Sequence, residues 1–366
     1  MRRFVLIATY NRSINIKTAD RLKILLVKLS SLGDVLHTLP VVHDIKTAFH
    51  AAQVEAQIDW VVEAAFAGAV RRCEGVNNVV VCELRKWRKA PFSAETRQAW
   101  RAFKANLQRE HYDAVIDLQG LTKSALVSKL AKLSPTGKRY AMANRTDGSS
   151  YEAPTRWLAD EAIQLAPHVH AVQRARELCA QALRYKLPEN AVLAPKYRLL
   201  AGVNIASTAI NNIAKNSTKT TIVFAHGSSR EDKLWPVSHW VELGQRLNAA
   251  GFGIALAHGN ADEERRSHVI AEQLADAVVW PRLGLDAMVD AFGGCAGVVG
   301  VDSGLSHMAV ALDLPHVQIY NFDTAWRTGP VASHAAARQV SVYASPAPSV
   351  DAVWQAWLGV NAVNES

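Results

Sequence analysis

Short apolar runs alternate with amphipathic stretches through the first half of the chain. The apolar runs, rich in β-branched residues, predict strands at 23–29, 58–63, 78–84 and 112–118. Between them, apolar residues recur at helical spacing near 35–48, 64–72, 94–109 and 121–132. Because strand and helix alternate, we predict βαβ units built on a parallel sheet.

A second alternating series follows, with strands predicted at 220–228, 252–259, 297–304 and 316–321 and helices at 237–251, 261–276 and 305–314. Between the two series, residues 186–219 lose the alternation and gather Pro, Asn, Ser and Thr, as domain connections do. We therefore predict an α/β protein with two Rossmann-like domains facing each other across a cleft. The predicted parts are an extension at 1–20, a first domain at 21–190, a connection at 191–219, a second domain at 220–345 and a C-terminal helix and tail at 346–366.

Composition supports a folded protein of this size. The 366 residues are enough for two domains, and 49% apolar with 20% charged residues is typical of a globular chain. No run of 18 apolar residues predicts a membrane-spanning helix, and the start of the chain has no cleavage site typical of a signal peptide. The four cysteines lie far apart without a CxxC pair, which argues against a disulfide framework or a zinc site. A cytoplasmic location is expected.

The net charge of +8 is unevenly distributed along the chain. Residues 1–200 hold 31 Lys and Arg against 18 Asp and Glu, a net +13, whereas residues 201–366 hold 10 against 15, a net −5. A basic half favours an anionic partner, which could be nucleic acid, a membrane surface or a phosphorylated substrate. A solvated basic surface without a ligand is the alternative interpretation.

Candidate chemistry is sought in the strand-to-helix turns, since ligands of open α/β sheets bind beyond the carboxyl ends of the strands. In "VVGVDSGLSHMAVAL" (298–312), Ser303 and Gly304 precede a helix whose first amides would attract a phosphate. Asp302 and Ser303 could instead only cap that helix, and His307 could be a phosphate donor or an ordinary buried histidine.

Two further turns of the second half carry polar groups. Ser228, Ser229 and Lys233 in "FAHGSSREDKLWP" (224–236) combine hydroxyls with one cation, which suits a diphosphate, although the spacing is not that of a Walker loop. Glu263 in "HGNADEERR" (258–266) could accept hydrogen bonds from a ribose or simply favour a helix start.

The first half offers a carboxylate and many cations. Asp34 follows Ser30, Ser31 and Gly33 at the start of a predicted helix, where it could cap the helix or accept a proton from a substrate hydroxyl. The cations that could meet phosphates or carboxylates are Arg85, Lys86, Arg88 and Lys89 around Trp87, then Arg97, Arg101 and Lys104, and farther on Lys123, His170 and Arg174.

The motifs "VKLSSLGDVLHTLP", "RKWRKAPFSA", "YDAVIDLQGLTKSAL", "HAVQRARELCAQALRY", "HGSSREDKLWP" and "VDSGLSHMAVALDLP" resemble those of the ADP-heptose:lipopolysaccharide heptosyltransferases, in the same order. The resemblance extends over about residues 22–330. It implies a GT-B glycosyltransferase, inverting, independent of metals and cofactors, which moves L-glycero-D-manno-heptose from ADP-heptose to the first Kdo of Kdo2-lipid A. The basic first half and the lack of a predicted membrane-spanning segment favour peripheral attachment to the anionic cytoplasmic face of the inner membrane, and no nucleic acid partner is expected.

The resemblance assigns roles to the candidate residues. It implies that Asp34 is the general base, that Ser228, Ser229 and Lys233 hold the donor diphosphate, and that Glu263 holds the ribose. Asp302, Ser303, Gly304 and His307 would complete the donor site. The acceptor-binding residues would be Ser30, Ser31, Arg85, Lys86, Arg88, Lys123, His170 and Arg174. Ser228, Ser229 and Ser303 stand where some relatives have threonines, which preserves the hydroxyls, and no motif reveals the adenine pocket.

Three alternatives stay open at this point. The first is heptosyltransferase II, or a related ADP-sugar transferase, although "GDVLHTLP" together with "RKWRKA" disfavours it. The second is an NAD-dependent dehydrogenase, although no predicted strand is followed by the GxGxxG motif of such enzymes. The third is a non-catalytic protein that binds a nucleotide or an anionic lipid.

Overall fold

The computed structural model describes residues 21–187, 195–202, 220–331 and 338–365. The chain divides into two compact units, Met1–Val192 and Leu193–Ser366. The predicted extension at 1–20, and the predicted connection apart from 195–202, lie outside the described residues.

The first unit is a parallel sheet with helices on its connections. Its strands are β1 (Arg21–Val27), β2 (Glu55–Glu63), β3 (Asn78–Cys82), β4 (His111–Asp117), β5 (Lys132–Met142) and β6 (Glu161–Ile163). Its helices are α1 (Leu32–Thr38), α2 (Pro40–Ala51), α3 (Ala67–Arg71), α4 (Leu84–Lys89), α5 (Ala94–Leu107), α6 (Thr122–Leu130), α7 (Pro154–Leu158) and α8 (Ala171–Leu183), with a 3-10 turn at Ala64–Phe66.

The strands of this sheet lie in the order β3-β2-β1-β4-β5-β6. All of these neighbours pair in parallel, with Ile24 of β1 opposite both Ile58 of β2 and Ala114 of β4. The chain therefore runs outward from β1 in one direction and then from β4 in the other. A crevice forms at such a switch point, outside the carboxyl ends of β1 and β4, and it is the usual ligand site of this topology.

The second unit repeats this arrangement. Its strands are β7 (Thr221–Ala225), β8 (Gly253–Leu256), β9 (Ala277–Val279), β10 (Gly297–Val301), β11 (His316–Tyr320) and β12 (Gln339–Tyr343). Its helices are α9 (Val237–Ala249), α10 (Ala261–Ala271), α11 (Leu285–Gly293), α12 (Gly304–Ala311), α13 (Ala325–Thr328) and α14 (Val350–Glu365), with a 3-10 turn at Glu231–Lys233. The parallel order β12-β11-β10-β7-β8-β9 places the switch point between β7 and β10.

The predicted elements are present, and their ends differ for identifiable reasons. The helix predicted near 35–48 is two helices, because Pro40 begins α2 and has no amide to continue α1. The strand predicted to end at 29 ends at Val27; the amide of Lys28 still donates to the carbonyl of Val61 in β2, and those of Leu29 and Ser30 donate to the Gln119 side chain. The cationic stretch at 84–89 is itself a short helix, with Trp87 buried beneath it.

The terminal helix α14 is part of the core of the second unit. Trp357 is fully buried in the same apolar cluster as Trp235 and Trp240. Its ring lies so close to Gly297 of β10 that a Cβ there would come within 2.6 Å of it. We conclude that this sheet face requires α14 as its cover.

Three further features of the described residues are the state of the cysteines, the grouping of possible metal ligands and the apolar length of the helices. Cys73, Cys82, Cys179 and Cys295 are all free thiols. Within the described ranges, no cluster of three or more His, Cys, Asp or Glu side chains is placed to hold a metal ion. None of the helices in those ranges combines the length and apolar character needed to cross a bilayer.

Candidate active site

The turn that precedes Asp34 is held in place by the neighbouring strand of the first sheet. The amides of Leu29 and Ser30 donate to Oε1 of Gln119, at 3.0 and 3.1 Å. The amide of Gln119 in turn donates to Oδ1 of Asp117, the last residue of β4, at 2.9 Å. The segment after β1 is thus tied to the segment after β4, at the switch point of the sheet.

Asp34 occupies the third position of α1 and not the capping position itself. Its Oδ2 accepts hydrogen bonds from the amide and the hydroxyl of Ser31, at 3.1 and 2.8 Å. Through these contacts Asp34 stabilises the start of α1, as the capping interpretation predicted, although it does so from the third helical position. The side chain is nevertheless 40% exposed, so a substrate could still reach the carboxylate.

Lys28 lies beside Asp34 and is almost fully buried, at 5% exposure. Its Nζ donates to the carbonyl of Leu118 at 3.0 Å and lies 3.7 Å from Oδ1 of Asp34. Burial alone would raise the pKa of Asp34, but the charge of Lys28 and the hydrogen bonds from Ser31 hold that pKa below its ordinary value. Asp34 is therefore a carboxylate at neutral pH.

A small pocket opens beside Lys28 and Asp34, next to the start of α8, which carries two predicted acceptor-binding residues. Arg174 of α8 lines the pocket with Lys28, Asp34 and His37, and its Nη1 donates to Thr146 Oγ1 at 3.3 Å. His170 caps the start of α8, where Nδ1 accepts from the amide of Val172 at 3.2 Å. Its ring lies 6.2 Å from that of His37. The first unit thus gathers two of the predicted residues, Asp34 and Arg174, around one pocket, and His170 lies next to His37, which lines it.

The other predicted acceptor-binding cations lie farther along the same sheet. The charges of Arg85 and Lys123 both act on Glu63, the last residue of β2, and partly offset the rise in its pKa that burial causes. Lys86 and Arg88 of α4 are exposed, and Lys86 pairs with Glu83 at 3.3 Å. The structure therefore places Arg85 and Lys123 near each other.

At the switch point of the second sheet, Asp302 holds two of the predicted donor-binding residues. Lys233 Nζ lies 2.5 Å from Oδ2 of Asp302, and His307 Nε2 lies 3.3 Å from Oδ1. Burial opposes ionisation of Asp302, but the hydrogen bond from His307 and the charges of His307 and Lys233 outweigh it, and the pKa of Asp302 falls well below its ordinary value. The three side chains form one hydrogen-bonded cluster around the ionised Asp302, between β10 and the start of α12.

The start of α12 carries a hydroxyl that the helix does not use. Ser303 occupies the capping position but its side chain makes no capping hydrogen bond, and no partner for its buried Oγ is found among the described residues. Ser228 Oγ donates a long hydrogen bond, 3.5 Å, to the carbonyl of Asp302, and Ser229 is exposed. The interpretation that Asp302 caps α12 is wrong, because Ser303 occupies the capping position and the Asp302 carboxylate contacts Lys233 and His307.

Glu263 lies across the ends of two adjacent strands of the second sheet. Its Oε2 accepts from the amide of Gly259, after β8, at 2.7 Å. A Cβ on Gly227, after β7, would come within 2.5 Å of the carboxyl carbon of Glu263, so Gly227 lets this side chain lie against the turn. Asn260 caps α10, accepting from the amides of Asp262 and Glu263 at 3.0 Å. The turns after β7 and β8 therefore fix the position of the Glu263 carboxylate.

The sequence profile of glycosyltransferase family 9 (heptosyltransferase) matches residues 100–354. Lipopolysaccharide heptosyltransferase 1 of Escherichia coli (strain K12) is 37% identical over 300 residues, which cover 82% of this chain and 88% of the relative. The chain belongs to glycosyltransferase family 9.

Solved structures of the family agree with this assignment. E. coli heptosyltransferase WaaC with ADP superposes with a TM-score of 0.76 at 33% identity, covering 91% of this chain and 98% of that one. The same enzyme with ADP-2-deoxy-2-fluoro heptose gives a TM-score of 0.72 at 34% identity, with the same coverage. By contrast, lipopolysaccharide heptosyltransferase 2 of E. coli (strain K12) is 27% identical over 228 residues, 59% of this chain and 61% of the relative. The predicted GT-B class with two Rossmann-like domains is confirmed, and the predicted cleft stays a prediction.

Three residues of this family-9 chain escaped the sequence analysis. Lys28, Asp117 and Gln119 surround the Asp34 turn, and each is buried. A lysine at the end of an otherwise apolar strand and a polar "DLQG" after another are visible in the sequence. That they meet depends on β1 and β4 being neighbours, which is decided by the strand order.

Proposed function

We propose that this chain is an inverting heptosyltransferase, independent of metals and cofactors, that transfers L-glycero-D-manno-heptose from ADP-heptose to the first Kdo of Kdo2-lipid A in the lipopolysaccharide inner core. The observation that carries the proposal is the chemistry at the two switch points. One has an ionised carboxylate, Asp34, and the other has a cation, Lys233, beside a helix start. A transferase needs both a base for the acceptor and positive charge for a leaving diphosphate.

In the proposed reaction, Asp34 accepts the proton of a Kdo hydroxyl as that oxygen attacks the anomeric carbon of the heptose. The bond from this carbon to the diphosphate oxygen breaks, and ADP leaves with the electron pair. Inversion follows when attack and departure occur on opposite faces of the sugar. In the working enzyme, Asp34 and the diphosphate site would therefore lie on opposite sides of the anomeric carbon.

The donor would bind at the switch point of the second sheet. Lys233, the first amides of α12 and the buried hydroxyl of Ser303 would meet the diphosphate. Asp302 would repel a phosphate directly, so we assign it to holding Lys233 and His307 in place. Ser228 and Ser229 would add hydroxyls, and Glu263 would accept hydrogen bonds from the ribose.

The acceptor would bind at the first unit. The carboxylates of Kdo and the phosphates of lipid A match the predicted cations, since guanidinium groups bind such anions in bidentate fashion. These cations are Arg85, Lys86, Arg88, Lys123, His170 and Arg174, with Ser30 and Ser31 beside the base. Of these, Arg174 lines the same pocket as Asp34, as a cation that meets a sugar reacting there requires, and His170 lies beside His37 of that pocket.

The acceptor assay tests this function. We expect ADP release from ADP-heptose with Kdo2-lipid A, and little with Kdo2-lipid A that already carries its first heptose. The greater identity and coverage of heptosyltransferase 1 over heptosyltransferase 2 favour this outcome. Turnover only with the heptose-bearing acceptor would indicate heptosyltransferase II. ADP binding without turnover on either acceptor would indicate a non-catalytic binder.

We also propose that the chain attaches peripherally to the anionic cytoplasmic face of the inner membrane, through the basic hairpin formed by α4, α5 and the loop between them. Trp87 belongs to the apolar core of the first unit and packs on Trp100 and Phe103 of α5, with ring centroids 5.6 and 5.4 Å away. Phe92, in the loop, is 86% exposed. The exposed cations around it are Arg85, Lys86, Arg88, Lys89, Arg97, Arg101 and Lys104. An exposed aromatic among cations suits the interface of an anionic bilayer.

Vesicle binding without acceptor tests the hairpin. Phe92→Ala should weaken binding to phosphatidylglycerol vesicles about fivefold, because a partly inserted Phe contributes on the order of 1 kcal/mol. Phe322→Ala is the matched control, since Phe322 is 42% exposed but belongs to the second unit. Raising NaCl from about 50 mM to about 500 mM should release the wild type through screening. Equal losses for the two variants, or binding that ignores salt, would refute the assignment.

A further inference from the structure

Lys28 is an uncommon residue for its place in the fold. It follows the last residue of β1, and its side chain is only 6% exposed. A buried ammonium loses hydration that is costly to replace, so such lysines are kept in place by opposite charges and hydrogen bonds. Here the carbonyl of Leu118 accepts one hydrogen bond at 3.0 Å, and the carboxylate of Asp34 lies 3.7 Å from the Lys28 ammonium.

The two carboxylates that act on Lys28 differ in their surroundings. Asp117 is 1% exposed, and both of its oxygens already accept hydrogen bonds, Oδ1 from the amides of Gln119 and Gly120 and Oδ2 from Ser124 Oγ. Asp34 is 40% exposed, and Ser31 occupies only its Oδ2. The oxygen of Asp34 that faces Lys28 is therefore the one that Ser31 leaves unoccupied.

We infer that Lys28 is a positioning residue for the general base, whose ammonium fixes Oδ1 of Asp34 and keeps this carboxylate ionised beside the pocket. The inference rests on the proposed function insofar as Asp34 is the base. It assigns Lys28 no contact with either substrate. Ser31 and Lys28 then hold Asp34 from two sides, one oxygen each.

Other charged and titratable groups near Asp34 do not replace Lys28. From the packed elements these are Asp117 after β4, Arg174 and His170 of α8 and its cap, and His37 of α1. Arg174 also lowers the pKa of Asp34, but it comes after Lys28 and Ser31 in the size of its effect. Burial and the charge of Arg174 lower the pKa of Lys28, and the charges of Asp34 and Asp117 offset that effect only in part, so this pKa lies below its ordinary value.

Direct titration of Asp34 separates this inference from the proposed function, because it needs no turnover. In protein labelled with ¹³C at the aspartate carboxyls, Asp34→Asn identifies the Asp34 signal. Lys28→Met should raise the apparent pKa of Asp34 by about one pH unit or more, since an opposite charge at this distance lowers a carboxyl pKa by about that amount. Lys28→Gln, which can still donate to Leu118, should give the same rise, and Lys28→Arg should keep the wild-type value.

The pH profile of heptose transfer gives the second readout. Activity needs the ionised base, so it falls as the pH drops through the pKa of Asp34, and Lys28→Met should move this acid limb upward by the same amount. ADP affinity should not change. Lys46→Met is the matched control, because Lys46 Nζ also donates to a main-chain carbonyl, that of Ala56 at 2.6 Å, but does not line the pocket.

The outcomes are distinct. If the pKa of Asp34 is the same in wild type, Lys28→Met and Lys28→Gln, the inference is wrong whether or not the enzyme transfers heptose. It is equally wrong if Lys28→Met lowers activity with an unmoved acid limb, in step with a lower melting temperature that Lys46→Met shares. If the Asp34 pKa rises but the wild type shows no heptose transfer, Lys28 keeps its role and the proposed function fails.

Discussion

Replacing Asp34 with asparagine should lower the rate of heptose transfer by about 10²- to 10⁴-fold, the usual contribution of a general base. Asparagine has the shape of aspartate and can still accept from Ser31, so the start of α1 should persist. What it loses is the negative charge that accepts the proton. The measurement is ADP release from ADP-heptose with Kdo2-lipid A at saturating donor.

Two controls make the Asp34 result specific. ADP affinity, measured by calorimetry, should be unchanged, because the residues proposed to hold ADP belong to the second unit. Asp286→Asn removes another exposed acid from the first turn of a helix, α11, and should leave the rate unchanged. If Asp34→Asn turns over like the wild type, Asp34 only stabilises its helix and the base must be another group.

Replacing Lys233 with methionine should lower kcat by about 10²- to 10³-fold, as the loss of a preorganised group facing a leaving anion does. ADP affinity should fall as well, since the diphosphate is charged before the reaction. The effect has a second cause in this structure. Without Lys233, the buried Asp302 loses its ammonium partner and would face the diphosphate with less compensation.

The same loop offers the matched control for Lys233. Arg230 lies three residues earlier, is exposed and pairs with Asp232. Arg230→Met removes one positive charge from the loop without touching Asp302, and we expect less than about a threefold change, as exposed pairs contribute little. Comparable losses in both variants would mean that the general charge of the loop matters, and not the contact between Lys233 and Asp302.

Much of the fold was predictable because its signals are local. Apolar runs with β-branched residues indicated most strands, and Pro236 and Gly251 bracket α9 closely. Four strands, β5, β6, β9 and β12, were not predicted; β6 and β9 have only three residues each, and their strand conformation depends on a partner in the sheet. The split of α1 from α2 was visible in Pro40 but was overridden by the apolar periodicity.

The site was predictable in part. Asp34, Lys233 and Asp302 each follow a strand, where ligand-binding side chains are expected. Their partners were not predictable, since Lys28 bonds to Leu118, 90 residues away, and Lys233 bonds to Asp302, 69 residues away. Because of such contacts, Asp302 binds Lys233 and His307 and does not cap the helix.

The sequence by itself determined the α/β alternation, the family and the order of the motifs, because each of these is written in neighbouring residues. Only the tertiary structure decided which turns meet. The strand order brings the ends of β1 and β4 together, and those of β7 and β10, so that segments distant in the chain share one crevice. The charge of Lys28 and the hydrogen bonds from Ser31 keep the partly exposed Asp34 ionised. For Asp302 burial makes such partners decisive, because a carboxylate removed from water stays charged only where cations and donors face it.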